Sequence, residues 1–242
     1  MERREILDLH THTVASGHAY CTLREMAKAA SEKGLKVLGI TEHAPKMPGT
    51  CHNYYFHNLK VVPRQMYGIT LLLGAELNIL DFDGNVDLSQ RELENLDVVI
   101  ASIHGPCIVK GTREDYTRAY LKVMENPYVN IIGHPDDSRY PSDYEQVIQG
   151  AKKYHKVIEM NNHSLSPQSF RKGAEENDRE ILSLCKELEV PVVLSSDAHM
   201  DTKIGDFTYI YPFLKEVNFP EELILNYSIE ALRPYLNRFP QE

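Results

Sequence analysis

Seven short runs rich in valine, isoleucine and leucine punctuate the chain at regular intervals: Ile6–Leu9, Val37–Thr41, Ile69–Gly74, Val98–Ser102, Val129–Ile132, Val157–Met160 and Val190–Ser195. Continuous apolar runs of this length suit parallel strands buried on both faces. Amphipathic helical patterns separate most of them, at Leu23–Lys33, Glu114–Glu125, Tyr144–Tyr154 and Asp178–Glu189, the first stopped by Gly34. Strands alternating with helices predict a parallel α/β sheet closed, or nearly closed, into a barrel. An open doubly wound sheet is the alternative. The 242 residues fit one such barrel, and 42% apolar content supports a substantial core. No second domain, repeat or linker interrupts the pattern, so a single domain over 1–242 is expected.

One stretch breaks the rhythm. Ala44–Gln65 lacks a helical period and holds Pro45, Pro48, Gly49 and Pro63. Long irregular connections inside compact domains are usually functional, so it is expected as a loop over the active site. After Ser195, helices are expected at Tyr209–Lys215 and Ile229–Phe239, packed against the barrel.

Histidine is the compositional anomaly, with eleven residues. Six of the seven runs end in metal-binding residue types: Asp8-Leu9-His10-Thr11-His12 with His18 beyond, Glu42-His43, Glu76, His104, His134 and Asp197-Ala198-His199. The sixth run ends Glu159-Met160-Asn161-Asn162, without an obvious ligand. Parallel barrels build their active sites at this carboxyl edge, where the loops converge on the axis. Residues i and i+2 of an extended chain face the same way, so His10 and His12 share an aim, as do Asp197 and His199. One strand-end histidine would usually be a hydrogen-bonded cap. Seven of them, with two carboxylates on one rim, would be costly to desolvate together without a cation.

Nitrogen and oxygen donors without thiolate suit zinc foremost, or manganese or ferrous iron. Nine donors exceed what one or two ions need, and bridging by Glu76 would let three divalent ions share them. Four scattered cysteines form no pair for a thiolate site and fit a reducing compartment. A charged start, Met1–Glu5, with no apolar segment after it, fits a cytoplasmic protein without a membrane anchor. The net charge of −9 argues against a broad grip on nucleic acid. Three divalent ions would still add about +6 locally, so a negative chain can hold a positively charged pocket. Oligomeric state is not readable from the sequence.

The His10-Thr11-His12-Thr13 pattern, His18, Thr41-Glu42-His43, Asp197-Ala198-His199 and the lone His104 and His134 resemble the PHP (polymerase and histidinol phosphatase) family. The likeness is nearest to its small stand-alone, YcdX-like phosphatases, whose D-L-H-x-H-T-V-A-S-x-H-A-Y pattern runs unbroken from Asp8 to Tyr20. It implies a distorted (β/α)7 barrel with a trinuclear metal site. By position, His10, His12 and Asp197 would hold the first ion, Glu76 would bridge to a second completed by His104 and His134, and His18, His43 and His199 would hold the third. It implies hydrolysis of phosphomonoesters by a metal-bound hydroxide, with Glu76 and Asp197 as the catalytic carboxylates. Glu42 stands where the family more often has aspartate.

Arg64 matches a Pro-Arg pair of the family, and its planar fork suits phosphate oxygens; Asn161 and Asn162 close the sixth run at the same rim. Arg64 and Asn161 are therefore expected to contact substrate. His52, His57, His155 and His163 read as surface residues, and Asp136-Asp137 as either orienting His134 or facing water. Competing functions are phosphodiesterase or exonuclease action on the same metals, carbon–nitrogen hydrolysis on an amidohydrolase barrel, and a non-catalytic scaffold. The second normally needs a strand-end lysine, which this chain lacks.

Overall fold

Parallel pairing runs unbroken through seven strands in a computed structural model that describes residues 5–240. Of the charged start read above, Met1–Glu5, the first four residues lie outside them. In chain order the elements are β1 (Leu7–Asp8), α1 (Leu23–Glu32), β2 (Val37–His43), α2 (Asn53–Asn58), β3 (Gln65–Met66), β4 (Ile69–Asn78), α3 (Gln90–Leu93), β5 (Val99–Ser102), α4 (Arg113–Met124), β6 (Ile131–Ile132), α5 (Tyr144–Tyr154), β7 (Val157–Asn161), α6 (Ala174–Glu187), β8 (Val192–Ser195), α7 (Tyr211–Glu216) and α8 (Ile229–Leu232). The strand order is β1-β2-β4-β5-β6-β7-β8, all parallel. Capping boxes start α1 (Thr22 with Glu25) and α4 (Thr112 with Asp115), satisfying amide donors that a helix start leaves open.

Three local expectations give way. β3 was not foreseen; it pairs antiparallel with β4 through Tyr67-Gly68, whose φ values of 51° and 77° make the tight left-handed turn a two-residue hairpin needs. The Ala44–Gln65 connection is not wholly irregular: it contains α2 and a 3-10 turn at Leu59–Val61, anchored by buried Phe56 and Leu59. The last helix is shorter than predicted, changing to 3-10 form at Arg233–Tyr235, where Pro234 lacks the amide that α-helix requires.

Strand parity explains the barrel's interior. Val37, Leu72, Ile100, Val157 and Val193 pack inside with Leu7 and Leu9, and Leu225 and Leu232 plug the amino-terminal end. Each such side chain contributes about 1.5–3 kcal/mol by burial. Higher on the same strand faces the interior narrows: a Cβ on Gly39 would lie 2.3 Å from the Leu9 carbonyl, and one on Gly74 2.0 Å from that of Val98. Above the glycines the same parity delivers His43, Glu76 and Asn161 to the mouth. A separate apolar layer joins the outer strand faces to the helices.

The barrel closes at a seam. β1 and β8 do not form a ladder, but Thr11 and Ala198 make an isolated parallel bridge. Lower down, the buried Asn226 amide donates to the Leu7 carbonyl at 3.0 Å and to that of Leu194 at 2.7 Å, and accepts from Leu194 N at 2.7 Å. Between these points Asp8 accepts from Ser196 N and Oγ and from Gly205 N. This closure replaces the open-sheet alternative.

Candidate metal centre

Seven histidines and two carboxylates converge at the carboxyl ends of the strands, with Glu76 at the centre. One oxygen, Oε1, lies 2.9 Å from His134 Nε2 and 3.2 Å from His104 Nε2. The other, Oε2, lies 2.6 Å from His43 Nδ1, 3.4 Å from His10 Nε2 and 3.6 Å from His12 Nε2. Asp197 Oδ1 stands 3.4 Å from His12 Nε2 and 3.6 Å from His10 Nε2 and His199 Nδ1. His18 Nε2 faces His43 Nε2 at 3.2 Å. Among the described residues, ligand atoms gather within 4.8 Å of one another in three groups: His10, His12 and Glu76; His43, Glu76 and His104; His12, His43 and His199. The backbone turns sharply to aim two of these side chains: His134 and Asp197 have φ of 29° and 54°, the uncommon left-handed region that tends to cluster at functional sites.

Hydrogen bonds behind the rings determine which nitrogen is free. His10 Nδ1 meets Glu159 Oε1 at 2.6 Å, an acceptor, so Nδ1 carries the proton. His104 Nδ1 meets Asn78 Oδ1 at 2.7 Å; the Asn78 amide nitrogen already donates to Ala44 O and Asp87 Oδ2. His199 Nδ1 donates to the Asp197 carbonyl at 2.9 Å. The fourth case runs through a hydroxyl. Ser16 Oγ gives its only proton to Glu42 Oε2 at 2.6 Å, so at 3.1 Å from His12 Nδ1 it must accept. In the neutral form, each of these four rings thereby keeps Nε2 as a lone pair, as second-layer partners of metal-ligating histidines do.

The enclosed donor atoms fit a cation. His10 Nε2, His12 Nε2, His43 Nδ1 and Glu76 Oε2 are fully buried and make no hydrogen bond, which is costly unless something else satisfies them. Electrostatics point the same way. Burial would raise Glu76, yet His104, His10 and His43 hold it well below the ordinary carboxylate range. Burial would likewise raise Asp197, but the neighbouring His10, His12 and Arg171 keep it low. Burial and the neighbouring His43 and His199 keep His12 well below its ordinary value, hence neutral. At His10 burial is outweighed by Glu159, Glu76 and Asp197, which raise it well above the usual range, so three carboxylates favour positive charge at that point.

Sequence reasoning missed several participants. Glu159 accepts from both His10 and the His134 amide, the latter at 2.8 Å; its signal was a carboxylate at an inward position of an apolar strand. Arg171 donates to Asp197 Oδ2 at 3.0 Å and to Asn161 Oδ1 at 3.2 Å. Its loop after β7 had to reach the mouth, but nothing distinguished it from other basic loop residues. Glu42, already singled out in the sequence beside His43, was not missed: it holds Ser16 and accepts from Thr13 and Tyr55.

Other expectations are relocated. Arg64 is not at the mouth: its Nε donates to Asp97 at 2.8 Å, and its carbonyl pairs with Leu71 N near the start of β4, at the amino-terminal end of the barrel. Asn161 is enclosed and its amide committed: Nδ2 donates to Glu159 and Asp197, and Oδ1 accepts from His163 N and Arg171. It braces the site rather than reaching substrate, whereas Asn162 lines the cavity. Asp136 and Asp137 are both buried, and Asp137 grips Arg139 rather than His134. His57 bonds Glu92, and His163 lines the cavity.

Above the cluster opens a cavity of about 650 Å³, a size typical of small-molecule sites. Fold and cluster together define a parallel α/β barrel carrying a divalent-metal site at its carboxyl end. More specifically, the chain belongs to the PHP domain family, whose profile matches residues 8–169. It is 51% identical over 231 residues to a "Probable phosphatase" of Clostridium novyi, covering 96% of this chain and 94% of the relative. It is 44% identical over 233 residues to a "Probable phosphatase" of Acetivibrio thermocellus, covering 96% and 95%. Among solved structures, histidinol phosphate phosphatase from Lactococcus lactis, complexed with zinc, L-histidinol and phosphate, aligns with a TM-score of 0.59. That pair is 20% identical, and the alignment covers 89% of this chain and 95% of that one. No helix among the described residues is long and apolar enough to cross a membrane.

Proposed function

We propose that this protein is a metal-dependent phosphatase acting on small phosphomonoesters, with up to three divalent ions, zinc foremost, in the Glu76-centred cluster. The observation that carries the reading is the set of enclosed, hydrogen-bond-free donor atoms on His10, His12, His43 and Glu76. The relatives named as phosphatases supply the class of reaction. His10, His12 and Asp197 would hold one ion, Glu76 would be shared with a second held by His104 and His134, and His18, His43 and His199 would hold a third. Bound there, the ions would supply acidification of a water for attack on phosphorus and positive charge for the phosphate oxygens.

The protein's own part is positional. Glu159, Ser16, Asn78 and the Asp197 carbonyl fix four imidazoles in the tautomer that leaves Nε2 free. Arg171 and Asn161 bind the Oδ2 side of Asp197, so Oδ1 faces the histidines. The walls of the cavity confine the ester, and the −9 net charge disfavours a nucleic-acid strand.

The test is elemental analysis of purified protein together with turnover of a panel of monoesters and diesters. Three ions per chain and faster monoester hydrolysis are expected. A metal-replete sample with a single ion overturns the trinuclear arrangement, and equal or higher kcat/KM on a single-stranded DNA end overturns the choice of ester.

A further inference from the structure

The rim of the cavity is more apolar than charge-neutralising phosphate chemistry requires. Phe170 is 62% exposed, Tyr20 76% and Met200 42%, and all three line the same cavity as the histidines. Exposed large apolar side chains gathered at one mouth mark a surface that something covers. None of the three is loosely attached. Arg139 and Arg171 lie over the Phe170 ring, 4.9 and 5.6 Å from its centroid, and Arg171 is itself bonded to Asp197. Tyr20 N donates to the His199 carbonyl at 3.0 Å, and Met200 Sδ accepts from Cys21 Sγ at 3.5 Å. Phe170 is thus tied to Asp197 through Arg171, Tyr20 is bonded to His199 directly, and Met200 follows His199 in the chain.

A phosphate group seated on the ions occupies a small part of about 650 Å³. The rest of the ester must then lie in the outer part of the cavity, against these side chains. We infer that the site selects phosphomonoesters whose alcohol carries a flat apolar group, bound against Phe170 and the Tyr20–Met200 pair. This deepens the phosphomonoesterase reading and rests on it. An aromatic ring on an aromatic shelf gains area burial together with the preference of π-systems for offset or edge-to-face contact. Phe170, Tyr20 and Met200 are accordingly specificity-determining residues, acting on binding of the leaving group and not on the reacting bond.

The experiment compares 2-phenylethyl phosphate with n-propyl phosphate on zinc-loaded protein. Both release a primary alcohol, so the chemical step is matched and only the apolar body differs. The wild-type ratio of kcat/KM is expected to favour the phenyl ester on the order of tenfold or more, chiefly through KM. In Phe170→Ala and Tyr20→Ala the ratio should fall towards one, and because the readout is a ratio, a general loss of activity cancels. A wild-type ratio near one, or a ratio unchanged in both variants, overturns the inference. Calorimetric binding of 2-phenylethylphosphonate and n-propylphosphonate, which cannot be hydrolysed, separates the two levels. Tighter binding of the phenyl compound without turnover of either ester overturns the phosphatase reading and keeps the apolar shelf, whereas equal affinities overturn the shelf.

Discussion

The hydroxyl of Ser16 donates to Glu42 at 2.6 Å, and through that bond a carboxylate outside the metal cluster decides which nitrogen of His12 is protonated. Glu42 is longer than the aspartate the family more often carries there, and it reaches Thr13, Ser16 and Tyr55 together. Ser16→Ala should leave the fold intact and weaken zinc binding by about 10–100-fold, the usual cost of losing a partner behind a ligand. Zinc titration against a competing chelator measures it; unchanged affinity would show that His12 selects its tautomer without Ser16.

Glu76 and His18 should separate cleanly. Glu76→Gln keeps the side chain's size but removes the charge that lets two cations sit side by side. Loss of at least one ion and a fall in kcat on the order of 100-fold or more are expected. His18, half outside the enclosed cluster and facing His43 and His199, should on replacement by alanine empty mainly one site and leave the other two occupied. Metal content and kcat for both variants from parallel preparations decide the matter. Three ions and near-normal turnover in Glu76→Gln would move the bridge to another carboxylate.

Arg64 should matter for stability and not for substrate. Its guanidinium binds Asp97 and the Leu59 and Val62 carbonyls far from the mouth. Arg64→Ala leaves nearly buried Asp97 with only its backbone partner, at a cost of about 2 kcal/mol. Urea unfolding should show that shift while KM stays at the wild-type value. A raised KM without loss of stability would return Arg64 to the phosphate.

Asn226 seals the seam, and its replacement by alanine strips partners from Leu7 O, Leu194 O and Leu194 N in a site closed to water. At about 1–3 kcal/mol for each unsatisfied buried group, a destabilisation of roughly 3 kcal/mol or more is expected in denaturant unfolding. A change below about 1 kcal/mol would mean that β1 and β8 close up into direct pairing.

The parallel strands were legible because burial on both faces writes them as apolar runs, and the ligand rim because parity places i and i+2 on one side. What stayed hidden depends on contacts between distant segments. Glu159 and His10 are brought together only when β7 and β1 share one barrel interior. Arg171 gains meaning from Asp197, on the neighbouring loop. Arg64 misled because a Pro-Arg pair says nothing about which end of the barrel its loop has reached. The hairpin at Tyr67-Gly68 carries no asparagine or aspartate to announce a left-handed turn.

The seam also has a meaning in polymer terms. His10 and His12 follow the first strand and Asp197 and His199 the last, so an ion held by His10, His12 and Asp197 would be a cross-link that gathers the whole run from first strand to last into one ring. It lies at the join where β1 and β8 have a single bridge instead of a ladder. Closing so long a loop removes conformational freedom chiefly from the unfolded chain, as a covalent staple would. The metal that equips the mouth for chemistry would therefore also act as its clasp, and folding and ion capture would be two readings of one equilibrium.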